Sequence, residues 1–148
     1  MKLRAITRAV VFDPQNNKLL LARNRGASFW YPPGGGWEFD RETIVEGAVR
    51  EVLEETGLHV EIVRMLYAQE FKVDADTMYL ELFWLAHPAG SNREVAHHKD
   101  EHGAVEEVRW FAKEELAAQI VFPERLKSSF WNLLDAFGAM EDPFIHAP

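Results

Sequence analysis

The sequence of 148 residues contains no cysteine. That absence excludes a disulfide framework and a thiolate-ligated zinc site, and it fits a reducing compartment. Long apolar runs are missing as well. The N-terminus, MKLRAITRAVVF, has only four consecutive apolar residues after scattered charges, too short for a signal peptide. The longest run elsewhere, LFWLA at 82–86, is far below the length of a membrane span. No basic stripe is present, and the formal net charge is -8, a balance that repels duplex nucleic acid. Repeats, low-complexity tracts and interdomain linkers are also absent. Together these gaps predict a cytoplasmic chain that partners neither membrane nor duplex, with a single domain over 1–148.

What is present is a globular composition, with 47% apolar and 12% aromatic residues. Residues 3–12 and 18–23 read as strands joined at the turn cluster DPQNN, hence a hairpin. FWYPPGGGWEF, 29–39, is too rich in proline and glycine for a helix and reads as a strand end, a tight turn and a short strand. Thr43 opens a helix with Glu46 at capping-box spacing, and Gly57 closes it. Val60–Gln69, Thr77–His87 and 105–111 are strand-like. KEELAAQI, 113–120, reads as a short helix. Pro123 leads a final amphipathic helix, ERLKSSFWNLLDAF, and the tail from about 138 is expected to be mobile. Phe83, Trp84 and Trp131 are assigned to the core. Strands with interspersed helices make the class mixed α and β.

The helix ends on REVLEETG, 50–57, which crowds Glu51, Glu54 and Glu55 into one turn. Like charges at i,i+3 and i,i+4 each destabilise a helix by roughly 0.2–0.5 kcal/mol. The last turn is also where the helix dipole disfavours anions. Val45, Ala48, Val49, Val52 and Leu53 form the arc expected to be buried, so the carboxylates lie beside it. Three clustered carboxylates suit a hard cation such as Mg²⁺. A solvated acidic helix end is the other reading of the same residues. Arg50 is placed to pair with Glu54 and Glu46.

Written out, GWEFDRETIVEGAVREVLEETGL (36–58) is G-x5-E-x7-R-E-V-x-E-E-x-G-L. This resembles the box motif of the Nudix hydrolase family, with every fixed position filled, a GG step just before it and a late strand ending in Trp110 and Phe111. The resemblance implies an α/β/α sandwich around a central mixed sheet. It implies hydrolysis of a diphosphate linkage, in a nucleoside di- or triphosphate or a nucleoside diphosphate joined to another moiety, with Mg²⁺ (or Mn²⁺ in its place). Carried over by position, Glu51, Glu54 and Glu55 hold the metal, and the carbonyl of Gly35 adds a ligand. Arg50 orients the glutamates and Glu42 braces the box loop. Gly36 and Gly57 allow tight turns at its ends.

The base that accepts the water's proton is Glu54 or Glu51 in the helix, or a late residue. Among the late ones Glu101 in HHKDEH (97–102) leads, with Glu106 and Glu107 as alternatives. Arg23, Arg25, Trp30 and Glu38 are the expected substrate contacts. No proline follows the box between Gly57 and His87, as ADP-ribose enzymes of the family often have. Elimination leaves a nucleoside triphosphate or related nucleotide as the expected small-molecule partner. A homodimer and a nucleotide sensor without hydrolysis both stay open.

Overall fold

In the computed structural model, which describes residues 1–95, 104–135 and 142–146, strand β1 (Lys2–Asp13) organises the molecule. Ala9, Val10 and Val11 are fully buried on alternate sides, as in a strand covered on both faces. A turn with Asn17 left-handed, at φ 57°, returns the chain into β2 (Lys18–Asn24). The two form the expected hairpin, Val11 opposite Leu20. Asp13 fastens the turn. Its carboxylate accepts from the Gln15 N–H at 3.0 Å and from Asn16 Nδ2 at 2.7 Å, and it meets Arg93 Nε at 2.8 Å.

Strand β6 (Thr77–Pro88) runs parallel to β1 along one whole edge. The other edge is divided. β2 holds residues 11–13, while β4 (Gly34–Gly36) lies antiparallel to residues 6–8. The sheet therefore forks beside β4. β5 (Val60–Lys72) and β7 (Val105–Ala112) complete the strands expected from sequence, and β9 (Phe144–Ile145) adds to β5. The order is β7-β2-β1-β6-β5-β9, with parallel and antiparallel neighbours mixed. β3 (Phe29–Trp30) pairs with β8 (Ile120–Val121) in a separate two-stranded sheet.

Helices cover both faces. Ala48 and Val52 of α1 (Ile44–Thr56) pack on Ala9, Val11, Leu20 and Ala22. Against the opposite face, Val10, Phe12 and Phe83 meet Leu116, Leu126, Phe130 and Trp131. Those residues come from α2 (Lys113–Leu116), a 3-10 turn at Glu124–Lys127, and α3 (Ser129–Asp135). The α/β/α layering around a mixed sheet is thus the one expected. No helix among the described residues is long and apolar enough to cross a membrane.

Four local expectations are corrected. The helix at 113–120 stops at Leu116, because Ile120 and Val121 are drawn into β8 opposite Phe29 and Trp30. The final helix is broken at Ser128, with φ -140° and ψ -95°, where the chain changes direction to bury both Leu126 and Trp131. The tail from about 138, read as mobile, carries a strand, Phe144–Ile145, paired with Ala68 and Gln69; its residues 138–141 and 147–148 lie outside the described residues. Leu53 is 36% exposed while Glu55 is 5% exposed. The helix is rolled so that the row Ala48, Val52, Glu55 and Thr56 faces the sheet.

Helix α1 begins and ends as its sequence dictates. The Glu46 N–H donates to Thr43 Oγ1 at 3.1 Å and the Thr43 N–H to Glu46 Oε1 at 2.9 Å. Gly57 is left-handed, at φ 75°, with its N–H donating to the Leu53 carbonyl. Thr43→Ala removes one half of this reciprocal pair and is expected to lower stability by about 1 kcal/mol, read from urea unfolding. A change below about 0.3 kcal/mol would show that the box loop, not the cap, holds the helix entry.

Candidate functional site

The site grows from the fork. With β4 in place of β2 along residues 6–8, three consecutive glycines lie beside the lower half of β1, in reach of α1. A side chain at Gly35 would meet the Glu51 carboxylate at 2.6–2.9 Å, and one at Gly34 would strike the Thr7 carbonyl at 2.4 Å. The glycines are therefore needed for close approach, which lets a helix carboxylate rest on strand backbone. Gly36 was expected at a tight turn. It is instead a strand residue opposite Ile6, with no left-handed φ, and its missing side chain leaves room for Arg4 Nη2.

Arg50 ties the parts together. Its Nε and Nη2 each donate to Glu42, both at 2.8 Å, a bidentate pair. Nη1 donates to Glu51 at 3.0 Å and to Glu54 at 3.3 Å, and Nη2 also reaches the Gly36 carbonyl at 3.4 Å. Glu46, expected as another partner, is occupied in the cap. Glu42 also accepts from the Glu38 N–H at 3.1 Å, so one carboxylate closes the loop 38–42 onto the helix. Gly47 allows this, since a side chain there would meet Glu42 Oε1 at 2.8 Å.

The three glutamates occupy three environments. Glu54 is exposed, Glu51 is half-buried, and Glu55 points inward, where its Oε2 accepts the Gly34 N–H at 3.2 Å. Among the described residues no three acidic, histidine or cysteine side chains converge as a ready ligand cluster. Arg50 Nη1 engages both Glu51 and Glu54, while the Gly34 amide takes Glu55. Burial pushes the Glu51 carboxyl up, against the opposing pull of Arg50, with Glu54 adding to the rise and Arg8 opposing it. Glu42 moves the other way. The Arg50 hydrogen bond holds it below its ordinary value, outweighing burial.

The expected substrate contacts separate. Trp30 is 4% exposed and packs edge-on to Phe111 at 4.8 Å, so its ring is core and unavailable for stacking. Arg23 is committed to Glu106 at 3.0 Å, to Glu107 at 3.7 Å and to the Ala27 carbonyl. Arg25 is exposed at the end of β2, where its N–H donates to the Ala104 carbonyl at 2.8 Å. Glu38 is exposed in the box loop. Glu101, with the segment 96–103, lies outside the described residues.

Two neighbours of the site were not anticipated. Arg8 on β1 pairs with Glu81 on β6 at 2.8 Å, and its guanidinium lies 5.2 Å from the centre of the Tyr31 ring. The available signal was a charge inside each of two apolar strand sequences, RAVVF and YLELFWLA.

Comparison with known proteins identifies the family. The family model of the NUDIX domain matches residues 2–133. The chain therefore belongs to the Nudix family. Over 57 residues, 35% of this chain and 19% of the other, it is 42% identical to the m7GpppN-mRNA hydrolase NUDT17 of Danio rerio, so it spans only about a fifth of that protein. A Nudix hydrolase structure from Nitrosomonas europaea superposes with TM-score 0.72 and 24% identity, covering 98% of this chain and 80% of that one. An ADP-ribose pyrophosphatase from Streptococcus suis superposes with TM-score 0.67 and 20% identity, covering 96% and 98%. These two structures share the fold.

The Glu42–Arg50 pair has a pH signature. A carboxyl with a depressed pKa in the folded state stabilises fully above its unfolded value and loses that contribution as pH falls through the folded value. Wild-type stability is therefore expected to decline on acidification below the ordinary glutamate value of 4.5. Glu42→Gln should be less stable at pH 7 and show a shallower acid decline. Urea midpoints at pH 7, 5, 4 and 3 check this, and parallel curves would refute it.

Proposed function

We propose that this chain is a Mg²⁺-dependent diphosphohydrolase that cleaves a nucleoside triphosphate or a nucleoside diphosphate conjugate. The observation that carries the reading is the acidic set on α1, with Glu51 and Glu55 against the side-chain-free strip of β4 and Glu54 held beside Glu51 by Arg50. The fit to a metal rests on the donor set and its cradle. The donors are hard carboxylate oxygens, one of them seated on Gly35 where no Cβ is tolerated. Glu51, Glu54 and Glu55, with the Gly35 carbonyl, would hold the ion. Mg²⁺, when bound, supplies neutralisation of the phosphate oxygens and a more acidic water.

The chain's own residues do the rest. Arg50 fixes Glu51 and Glu54 relative to the loop, and Glu42 holds Arg50. The proton of the attacking water passes to a carboxylate, Glu54 or Glu51 in the helix, with Glu101 a third candidate. The phosphate on the far side of the cleaved bond departs with its oxygen. Exposed aromatic rings at Phe29 and Phe122, edge-on with centroids 5.6 Å apart, offer apolar surface for the remainder of the substrate.

Pyrophosphate and phosphate release over a panel of nucleotides and nucleoside diphosphate conjugates, with Mg²⁺, tests this. Glu54→Gln is expected to lower kcat by about a hundredfold or more, while its metal-free melting temperature is unchanged or higher because like-charge repulsion is relieved. A folded wild type without turnover on the panel would favour a nucleotide sensor. Separately, Mn²⁺ is expected to raise the melting temperature of the wild type but not of the Glu54→Gln, Glu55→Gln double variant. Equal shifts in both would remove the metal site from the helix.

A further inference from the structure

Arg8 and Glu81 take no part in the chemistry above. They sit side by side on adjacent strands, where Ile6 is opposite Glu81 and Arg8 opposite Phe83. Both project from the sheet face that carries Val10 and Phe83, opposite to α1. Their side chains are only 18% and 10% exposed. Replacing a buried ion pair by apolar residues is often neutral or stabilising, so stability alone does not account for it.

The pair's position is informative. A side chain at Gly34 would meet Arg8 Cγ at 2.5 Å, and one at the next residue, Gly35, would meet Glu51 on the other side. Arg8 and the helix carboxylates therefore flank the same strip of β4 from opposite faces. The pair's chemistry is also specific. With its charge compensated by Glu81 at 2.8 Å, Arg8 is poorly suited to clamp a phosphate. Of its five N–H donors, Nε serves Glu81 and one on Nη1 serves the Pro32 carbonyl at 3.3 Å. On Glu81 only Oε2 is engaged among the described residues. A hydrogen-bond donor edge and an acceptor thus stand next to each other without net charge. The Tyr31 ring lies against the guanidinium, and Phe29 continues from Tyr31 at 6.2 Å, leading to Phe122. A paired donor and acceptor beside an aromatic residue matches a base, which is read by its hydrogen-bonding edge.

We propose that Arg8 and Glu81 read the hydrogen-bonding edge of a nucleobase, so that the substrate is a nucleoside phosphate and Glu81 sets which base is preferred. This rests on the diphosphohydrolase reading of the α1 glutamates. A site built to hydrogen-bond one group strongly rejects an analogue that leaves its polar atoms unpaired. Glu81→Gln replaces an acceptor by a mixed donor and acceptor, and so alters which edge fits.

The test is kcat and KM on ATP, GTP, CTP and UTP with Mg²⁺ for the wild type, Glu81→Gln, and the double variant Arg8→Met, Glu81→Met. The double variant keeps the strands packed if the single one unfolds. The wild type is expected to prefer one base by about tenfold or more, mainly in KM, and both variants to lose or reorder that preference by about tenfold. Equal turnover of the four bases by the wild type, or variants that slow all four alike, would overturn the proposal. Hydrolysis of base-free tripolyphosphate but of no nucleotide would overturn it while leaving the diphosphohydrolase reading intact. If the wild type turns over nothing, that reading fails separately. Tryptophan quenching by imido analogues of the four nucleotides then decides. A base preference shifted in Glu81→Gln supports the proposal, and no preference refutes it.

Discussion

The bidentate contact between Arg50 and Glu42 is the interaction on which the site depends. It joins a loop of irregular backbone to the exposed side of a helix. A guanidinium fixed in its plane by one carboxylate presents its remaining donors in fixed directions. Glu51 and Glu54 take those directions, and the Gly36 carbonyl lies within reach of the same group. Lysine would keep the charge but not the plane. The repulsion among the helix carboxylates is thereby partly compensated before any cation arrives. Their tolerance in the last turn, where the sequence made them look out of place, follows from that.

The second constraint is the fork in the sheet. β1 has a hydrogen-bonding edge that β2 uses only at residues 11–13 and that β4 uses at 6–8. A hairpin continued to its natural length would have closed the edge and left no room for glycine backbone between α1 and β1. The fork thus converts a structural edge into a place where acids from the helix layer and a charged pair from the opposite face approach one strip. Core packing holds it open. Trp30 and Phe111 sit on one side, and Thr7, which donates to the Ile44 carbonyl and accepts from Trp84 Nε1, sits on the other.

Much of this was legible in the sequence because it is written locally. The hairpin, the capping box, the glycine cap and the acid spacing each depend on residues a few positions apart. What was not legible depends on partners far away. The burial of Glu55 is met by the Gly34 N–H, and within the arc drawn from Val45 to Leu53 only Leu53 is exposed, because the roll of α1 is set by the strands it packs on and not by the helix itself. Trp30 sits beside a Pro–Gly turn, where an exposed aromatic is plausible, yet its ring is claimed by Phe111 from β7. The final helix has continuous periodicity across Ser128, and only the competing burial of Leu126 and Trp131 breaks it. Arg8 and Glu81 are separated by 73 positions, and parallel pairing of β1 with β6 brings them together.

Strand β9 adds two residue pairs to the outer edge of β5. An unpaired strand edge is a template for another chain, and this one is long and flanked by apolar side chains, with Phe71 52% and Val73 43% exposed. The short parallel strand covers that edge at Ala68 and Gln69. A shortened version ending at residue 133, where the family match stops, would retain every residue of the described glutamate site and yet bare this edge.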